Sequence, residues 1–289
     1  MKHFYNIERT ENACVAFGEF DGVHRGHLAL TECLVKEARK QNMQSVIVSF
    51  KKEDEKAVLT TEEEKEYFLK DTGLDVLVSY ECAEGQDLKT FVKEVLAEQL
   101  GAKVIVVGKD KDIPAIEDAA GACGMEVVVC GLEEEGGEVI TTAAVYQAFE
   151  DCDFEKMTKL CGHPYVMIGV VEHGKALGRT VGMPTANLGV ADTKLKPPSG
   201  VYATLTDVDG TNYKGLTNIG KRPSVDNSDH ITIETFLLDF SQSIYGKKLV
   251  LEIHLFIRGV VKFDNLEEVQ NQVQKDLEKT RTFLDEIMK

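Results

Sequence analysis

The sequence predicts an α/β chain in two parts: a parallel sheet covered by helices, then an antiparallel β-domain, read as a barrel, closed by a terminal helix. Three observations predict it. In the first half, short apolar runs alternate with segments of helical period, the pattern of a parallel sheet with crossover helices. In the second half the segments are short, β-branched and separated by turn residues. Between the first apolar run and the first helix lies a glycine-containing loop, the place where open α/β sheets hold phosphate.

The elements follow in order. Residues 13–17 form an apolar run ending at Gly18, and residues 28–41 carry Leu28, Leu30, Cys33, Leu34 and Ala38 near helical spacing. Residues 44–50 (QSVIVSF) read as a strand, 60–70 as a charged helix that a threonine can cap, and 75–79 as a short strand. Residues 88–100 are helical, with Phe91, Val92, Val95, Leu96 and Leu100 on one side. The strand 103–108, the small-residue helix 116–123 and the strand 126–130 complete the alternation. After a short helix at 154–160 and a connector at 162–165, strands are expected at 166–172, 202–208, 213–219, 231–238 and 248–257. Asp209-Gly210 is a hairpin signal. Leu266, Val269, Val273, Leu277, Thr280, Leu284 and Ile287 recur at three and four, which predicts the closing helix. The boundary is placed between a first domain, 1–155, and a second, 156–289.

Composition narrows the function. With 43% hydrophobic and 28% charged residues, the 289-residue chain is globular, and its length suits two domains. Asp+Glu is 49 against 33 for Lys+Arg, a net charge of −16, so nucleic acid is not an expected partner. No run reaches the ~20 apolar residues of a membrane span, and the first residues show no signal-peptide pattern. The seven cysteines are scattered with no CxxC, so reduced thiols in a cytoplasm are expected, with no structural zinc.

Two segments carry chemistry. In the loop Gly18-Glu19-Phe20-Asp21-Gly22-Val23-His24-Arg25-Gly26-His27, the histidines stand where the helix begins. Two imidazoles there can hydrogen-bond a triphosphate and the charge that builds as its α-phosphorus is attacked, while Gly22 and Gly26 let the backbone approach. Alone, an HxGH pattern is equally well read as two structural histidines; the strand–loop–helix setting favours nucleotide. In Gly182-Met183-Pro184-Thr185-Ala186-Asn187, Thr185 and Asn187 are two apart on extended backbone and point the same way. Their hydroxyl and amide oxygens suit Mg²⁺, which takes few protein ligands and keeps phosphate oxygens.

With these residues in view, the chain resembles the bacterial bifunctional riboflavin kinase/FMN adenylyltransferase family over nearly its whole length. Gly18–His27 is similar to the first-domain signature of that family, a Rossmann-like HxGH nucleotidyltransferase fold, and Leu59-Thr60-Thr61 with Glu64-Lys65 matches a further segment. The second domain resembles the riboflavin kinase barrel through Gly182–Asn187, Gly200-Val201-Tyr202, Asn218-Ile219-Gly220-Lys221-Arg222-Pro223-Ser224, Glu234-Thr235, Tyr245-Gly246 and Arg258. The resemblance implies that MgATP phosphorylates the 5′-hydroxyl of riboflavin, with Glu234 as catalytic base and Thr185 and Asn187 on Mg²⁺. It also implies that Gly169, Gly174, Gly178 and Arg179 hold ATP phosphates, and that Asn218, Arg222 and Arg258 line the flavin. In the first domain it implies catalytic roles for His24 and His27 and phosphate contacts at Gly18, Phe20, Asp21, Gly22 and Gly26.

Departures cluster in that first domain. The family's Gly-x-Asp-Phe-x-Phe-Gly retains only Gly108 and Asp110, with Lys111, Ile113 and Pro114 at the other places. Tyr146 stands where the family has a phosphate-binding arginine, and Lys51-Lys52-Glu53 replaces an aromatic and prolines. The expected function is therefore riboflavin phosphorylation, with riboflavin, FMN and ATP as partners and FAD formation left open. The alternatives are a fully bifunctional enzyme and a flavin- or nucleotide-binding regulator without catalysis.

Overall fold

The computed structural model describes residues 1–10, 12–51, 57–82, 85–173, 183–221 and 231–289. It divides into two compact units, Met1–Val145 and Tyr146–Lys289. The division falls inside a helix, Thr142–Glu150, and the boundary expected after residue 155 falls in the next one, Phe154–Cys161.

The first unit opens with β1 (Lys2–Phe4), β2 (Ala13–Gly18), α1 (Arg25–Lys40), β3 (Gln44–Phe50), α2 (Glu62–Leu69) and β4 (Val76–Tyr80). α3 (Leu88–Thr90) runs into a π-helical segment, Phe91–Leu100, and β5 (Ala102–Gly108), α4 (Ile113–Ala122) and β6 (Glu126–Cys130) follow. A small hairpin, β7 (Glu134–Glu135) and β8 (Glu138–Val139), leads into α5 (Thr142–Glu150). The six long-range strands form one parallel sheet in the order β1-β4-β3-β2-β5-β6. From β2 the chain builds outward through β3 and β4, then crosses back to add β5 and β6. The reversal lies between β2 and β5, so the crevice beyond their carboxyl ends is the ligand position of an open α/β sheet.

Local chemistry sets the helix ends. Thr61 and Glu64 form a reciprocal capping box on α2, Asp87 caps α3 and Asp112 caps α4. Gly101 ends the π-helical segment in left-handed backbone, at φ 79°. One face of the sheet packs Val15, Val48, Ile105 and Val107 against Phe91, Leu96 and Ile116. The other packs Cys14, Ile47, Leu77 and Val106 against Leu34, Ala38 and Leu69.

That second face corrects one expectation. Cys33 of α1 and Cys130 at the end of β6 are joined in a disulfide across a separation of 97 residues, so the seven thiols are not all reduced. Packing α1 along the sheet toward β6 brings the two side chains together, and no sequence spacing signals it. Cys14, Cys82, Cys123, Cys152 and Cys161 are free.

Asp75, just before β4, ties this face together. Its carboxylate accepts from Arg39 Nη1 at 2.7 Å and Nη2 at 2.9 Å, and from the Ser45 N–H at 2.9 Å and Ser45 Oγ at 2.8 Å. The Arg39 hydrogen bond, followed by those from Ser45, pulls the Asp75 carboxyl down to about 2. A carboxyl lowered on folding stabilises above its unfolded pKa, and the gain disappears as pH falls through the folded value. Asp75→Asn should cost about 1–2 kcal/mol at pH 7, with Arg39 half exposed, and the difference should vanish near pH 2. Urea unfolding of both proteins across pH checks this.

The second unit begins with α6 (Phe154–Cys161), capped by Asp153 and ended by Gly162 at φ 80°. β9 (Tyr165–Glu172), β10 (Ala186–Val190), β11 (Gly200–Val208), β12 (Thr211–Lys221), β13 (Ile231–Leu237) and β14 (Lys248–Gly259) close a barrel in the order β10-β13-β12-β11-β14-β9. α7 (Leu266–Ile287) starts at an Asn265 cap. Inside the barrel, Thr204 and Thr217 hydroxyls meet at 2.8 Å and Thr217 donates to Thr235 at 2.9 Å, all three buried. A Cβ on Gly215 would lie 2.6 Å from Thr204 Oγ1, so glycine makes room for this hydroxyl row. With Ile233, Thr235 and Leu237 buried, alternation turns Glu234 and Phe236 to the outer face. On the outside, Val201, Ala203, Leu205 and Leu216 pack with Leu277 and Leu284 of α7. Leu266 and Ile287, the first and last of the residues recurring at three and four, are 58% and 46% exposed, while Asp276 of the same helix is buried.

Candidate active sites

In the first unit, α1 begins at His24, which is 6% exposed. Its Nδ1 accepts the His27 N–H at 3.3 Å, so the first histidine caps the helix that carries the second. The rings stack 3.7 Å apart, and His24 Nε2 lies 3.3 Å from Thr142 Oγ1 at the start of α5. A Cβ on Gly26 would come within 3.0 Å of the His24 ring, so glycine gives that ring room to fold back over the helix start. His27 Nδ1 is buried and has no hydrogen-bond partner among the described residues. Burial, then His24, then Lys111 and Lys65, hold the His27 pKa well below the ordinary histidine range, so its ring is neutral at neutral pH.

The loop between β2 and α1 is strained and clamped. Phe20 and the β-branched Val23 have φ of 52° and 38°, and both are buried. Thr60 fixes them from both sides: its Oγ1 accepts the Gly22 N–H at 2.8 Å, and its N–H donates to Asp21 Oδ1 at 2.9 Å. Asp21 and Gly22 therefore face Thr60. Gly18, Phe20, His24, Gly26, His27 and Lys111 line a cavity of ≈ 420 Å³ at the β2–β5 reversal. Thr60 and Thr142 were not named as site residues from the sequence; the signals at Thr60 were the capping pattern at Thr60-Thr61 and the match of Leu59-Thr60-Thr61 to a family segment.

In the second unit, strand register assembles the kinase-like residues. Asn187 of β10 pairs with Glu234 of β13 on one side and with Glu172 of β9 on the other. Glu234 pairs in turn with Asn218 of β12, Asn218 with Val201 of β11, and Val201 with Arg258 of β14. Directly opposed residues share a face, so Asn187, Glu234, Asn218 and Arg258 stand in one row across the outside of the barrel. Arg258 closes the row by donating to Asp276 of α7, from Nε at 2.9 Å and Nη2 at 2.8 Å, and Gln272 donates to the other Asp276 oxygen at 2.8 Å. Thr185, two residues before Asn187, borders a second cavity of ≈ 250 Å³ with Pro184, Thr235, Phe240 and Tyr245. Tyr245 stacks on His173 at 4.1 Å. Gly169 lies within β9, where a Cβ would run into the Gly189 carbonyl of β10. Gly174, Gly178, Arg179 and Arg222 lie outside the described residues.

Comparisons with known proteins cover both units. The riboflavin kinase family model matches residues 161–284 and the FAD synthetase model residues 6–140. A bifunctional riboflavin kinase/FMN adenylyltransferase from Escherichia coli (strain K12) is 31% identical, covering 98% of this chain and 97% of its own length. The enzyme of the same description from Bacillus subtilis (strain 168) is 28% identical, covering 100% of this chain and 98% of its own. Among solved structures, one from Streptococcus pneumoniae described as a macrolide-efflux protein matches with a TM-score of 0.80 at 28% identity, covering 94% of this chain and 95% of its own. No helix among the described residues is long and apolar enough to cross a membrane.

Proposed function

Because the chain belongs to the bifunctional riboflavin kinase/FMN adenylyltransferase family, we propose that its second unit transfers the γ-phosphoryl group of MgATP to the 5′-hydroxyl of riboflavin, giving FMN. The observation that carries this reading is the cross-strand row, in which Glu234 stands between Asn187 and Asn218. Phosphoryl transfer asks little covalent chemistry of the protein; it needs a positioned hydroxyl, an acceptor for its proton and charge neutralisation. Glu234 supplies the acceptor. Asn218 and Arg258 on the same row, with Arg222, are the flavin side of the site. Asn187 and Thr185 are the ATP side, with Gly174, Gly178 and Arg179. Asn187 and Thr185 also suit Mg²⁺: they offer neutral oxygens beside the Glu234 carboxylate, and among the described residues no group of three or more His, Cys, Asp or Glu competes as a metal site. The ion supplies charge neutralisation on the transferring group. A cytoplasmic location goes with this reading, because ATP is the phosphoryl donor.

The test is riboflavin with MgATP and purified protein, followed by chromatographic separation of flavins. FMN is the expected product. Its absence at stoichiometric enzyme overturns the kinase reading and leaves a binding protein.

A second activity, adenylylation of FMN to FAD with release of pyrophosphate, is favoured by the cavity of the first unit. It joins both histidines to the start of α1, a helix with no acidic residue in its first turn. FMN and MgATP given directly should yield FAD and pyrophosphate. A protein that makes FMN but never FAD would confine function to the second unit.

A further inference from the structure

The cavity of the first unit must accept a polyphosphate, yet Glu19, Asp110 and Glu133 are among its lining residues. The helix start offers N–H donors and His27 is neutral, so neither brings a full positive charge. Among the described residues lining it, Lys111 is the sole lysine or arginine. The nearby cations Arg25 and Lys65 do not line it. Arg25, inside the histidine loop, donates to Glu135 at 2.5 Å and lies 3.5 Å from Glu133. Lys65 is buried, donating to Ser49 Oγ at 2.9 Å and to Glu62 at 2.8 Å.

The turn after β5 presents Lys111 to the crevice. Its N–H donates to the Gly108 carbonyl at 3.2 Å. Asp110 Oδ1 lies only 2.5 Å from where a Cβ on Gly108 would sit, so the Asp110 side chain folds back over Gly108. Lys111 Nζ lies 3.1 Å from Asp110 Oδ2, with the two side chains 52% and 49% exposed. An ion pair so open to water is a weak attachment, and a phosphate oxygen can replace the carboxylate. β2 and β5 flank the sheet reversal, and the segments that follow them bring His24, His27 and Lys111 to line one cavity.

From this we infer that Lys111 is the phosphate-binding cation of the adenylylation site, a specificity residue acting on the substrates' phosphates in the cavity it lines with the histidines. The inference rests on the FAD-forming reading. Phosphate could reach Lys111 from the ATP chain or from FMN, and the kinetics separate the two.

The experiment measures FAD formation from FMN and MgATP by the full-length protein and by K111Q, K111E and K111R. About a tenfold rise in KM for ATP, with K111R near wild type and K111E worst, assigns the triphosphate; the same rise in KM for FMN assigns the flavin phosphate. Riboflavin phosphorylation by the same preparations should be unchanged, which controls for folding. K111Q and K111E with wild-type KM values for both substrates overturn the inference. If wild-type protein forms no FAD, the adenylylation reading fails by itself, and Lys111 is read from equilibrium dialysis of MgATP. K111E should then lose one of two nucleotide sites; both sites kept in K111E, or a single site in wild type, overturns it.

Discussion

Glu234→Gln should lower FMN formation by about 10²–10⁴-fold, with KM for riboflavin and ATP changed little. Glutamine keeps the size and hydrogen-bonding oxygen of the side chain but cannot accept the proton that leaves the riboflavin hydroxyl. Glu234 sits in the middle of β13 with Asn187 opposite on one strand and Asn218 opposite on the other. The strand is locked by the buried Thr204–Thr217–Thr235 row. The variant should therefore fold with unchanged thermal stability, and its loss should lie in kcat. FAD formation from added FMN should continue, because that chemistry belongs to the first unit. Wild-type kcat in E234Q would remove Glu234 from the mechanism, while a lost Tm would point to a structural role.

Legibility differed between the two halves for a physical reason. The main strands of both units carry their own signal: QSVIVSF is apolar because both faces of a parallel sheet are covered, and Ile231–Leu237 alternates because one face of a barrel strand is not. β1 and the β7–β8 hairpin carry almost none, being three and two residues long with no apolar run. β10 is hidden by Pro184 before it and Gly189 within it, residues that ordinarily break strands. α5 begins at Thr142, within a segment that was read only as a departure from a family motif. The candidate residues were legible one by one through motif resemblance, but their arrangement was not. That Asn187, Glu234, Asn218 and Arg258 share one row depends on register among strands far apart in the chain, which side-chain periodicity leaves undetermined. The partners Asp276 and Thr60 belong to the same class. Asp276 lies outside the apolar recurrence that marks its helix, and its burial goes with its pairing to Arg258 on β14. Thr60 reads as a cap residue, and its hold on Asp21 and Gly22 appears only when residues about forty apart meet.

His27→Ala should lower FAD formation by about 10²–10³-fold and leave riboflavin phosphorylation intact. In the adenylylation reading, the histidine pair stabilises charge on the α-phosphoryl oxygens as FMN attacks. A buried Nδ1 without a partner among the described residues is a donor or acceptor held ready for a ligand, since such an atom is costly to leave unsatisfied. His27 is also neutral at working pH, because burial and the positive neighbours Lys111 and Lys65 oppose its protonation. FAD formation should thus show no His27 inflection between about pH 6.5 and 8. Stability gives an independent readout. The unfolded chain takes a proton on this histidine near 6.5 and the folded chain does not, so acidification through that value favours unfolding until the lowered folded pKa is reached. His27→Gln removes the imbalance. Its first-unit stability relative to wild type should rise as pH falls below about 6.5 and stay constant above it. Denaturant melts at several pH values, read beside FAD kinetics, test both parts. An H27A protein that forms FAD at the wild-type rate would exclude the ring from catalysis, and a pH-independent difference between H27Q and wild type would show that His27 is not held neutral by its surroundings.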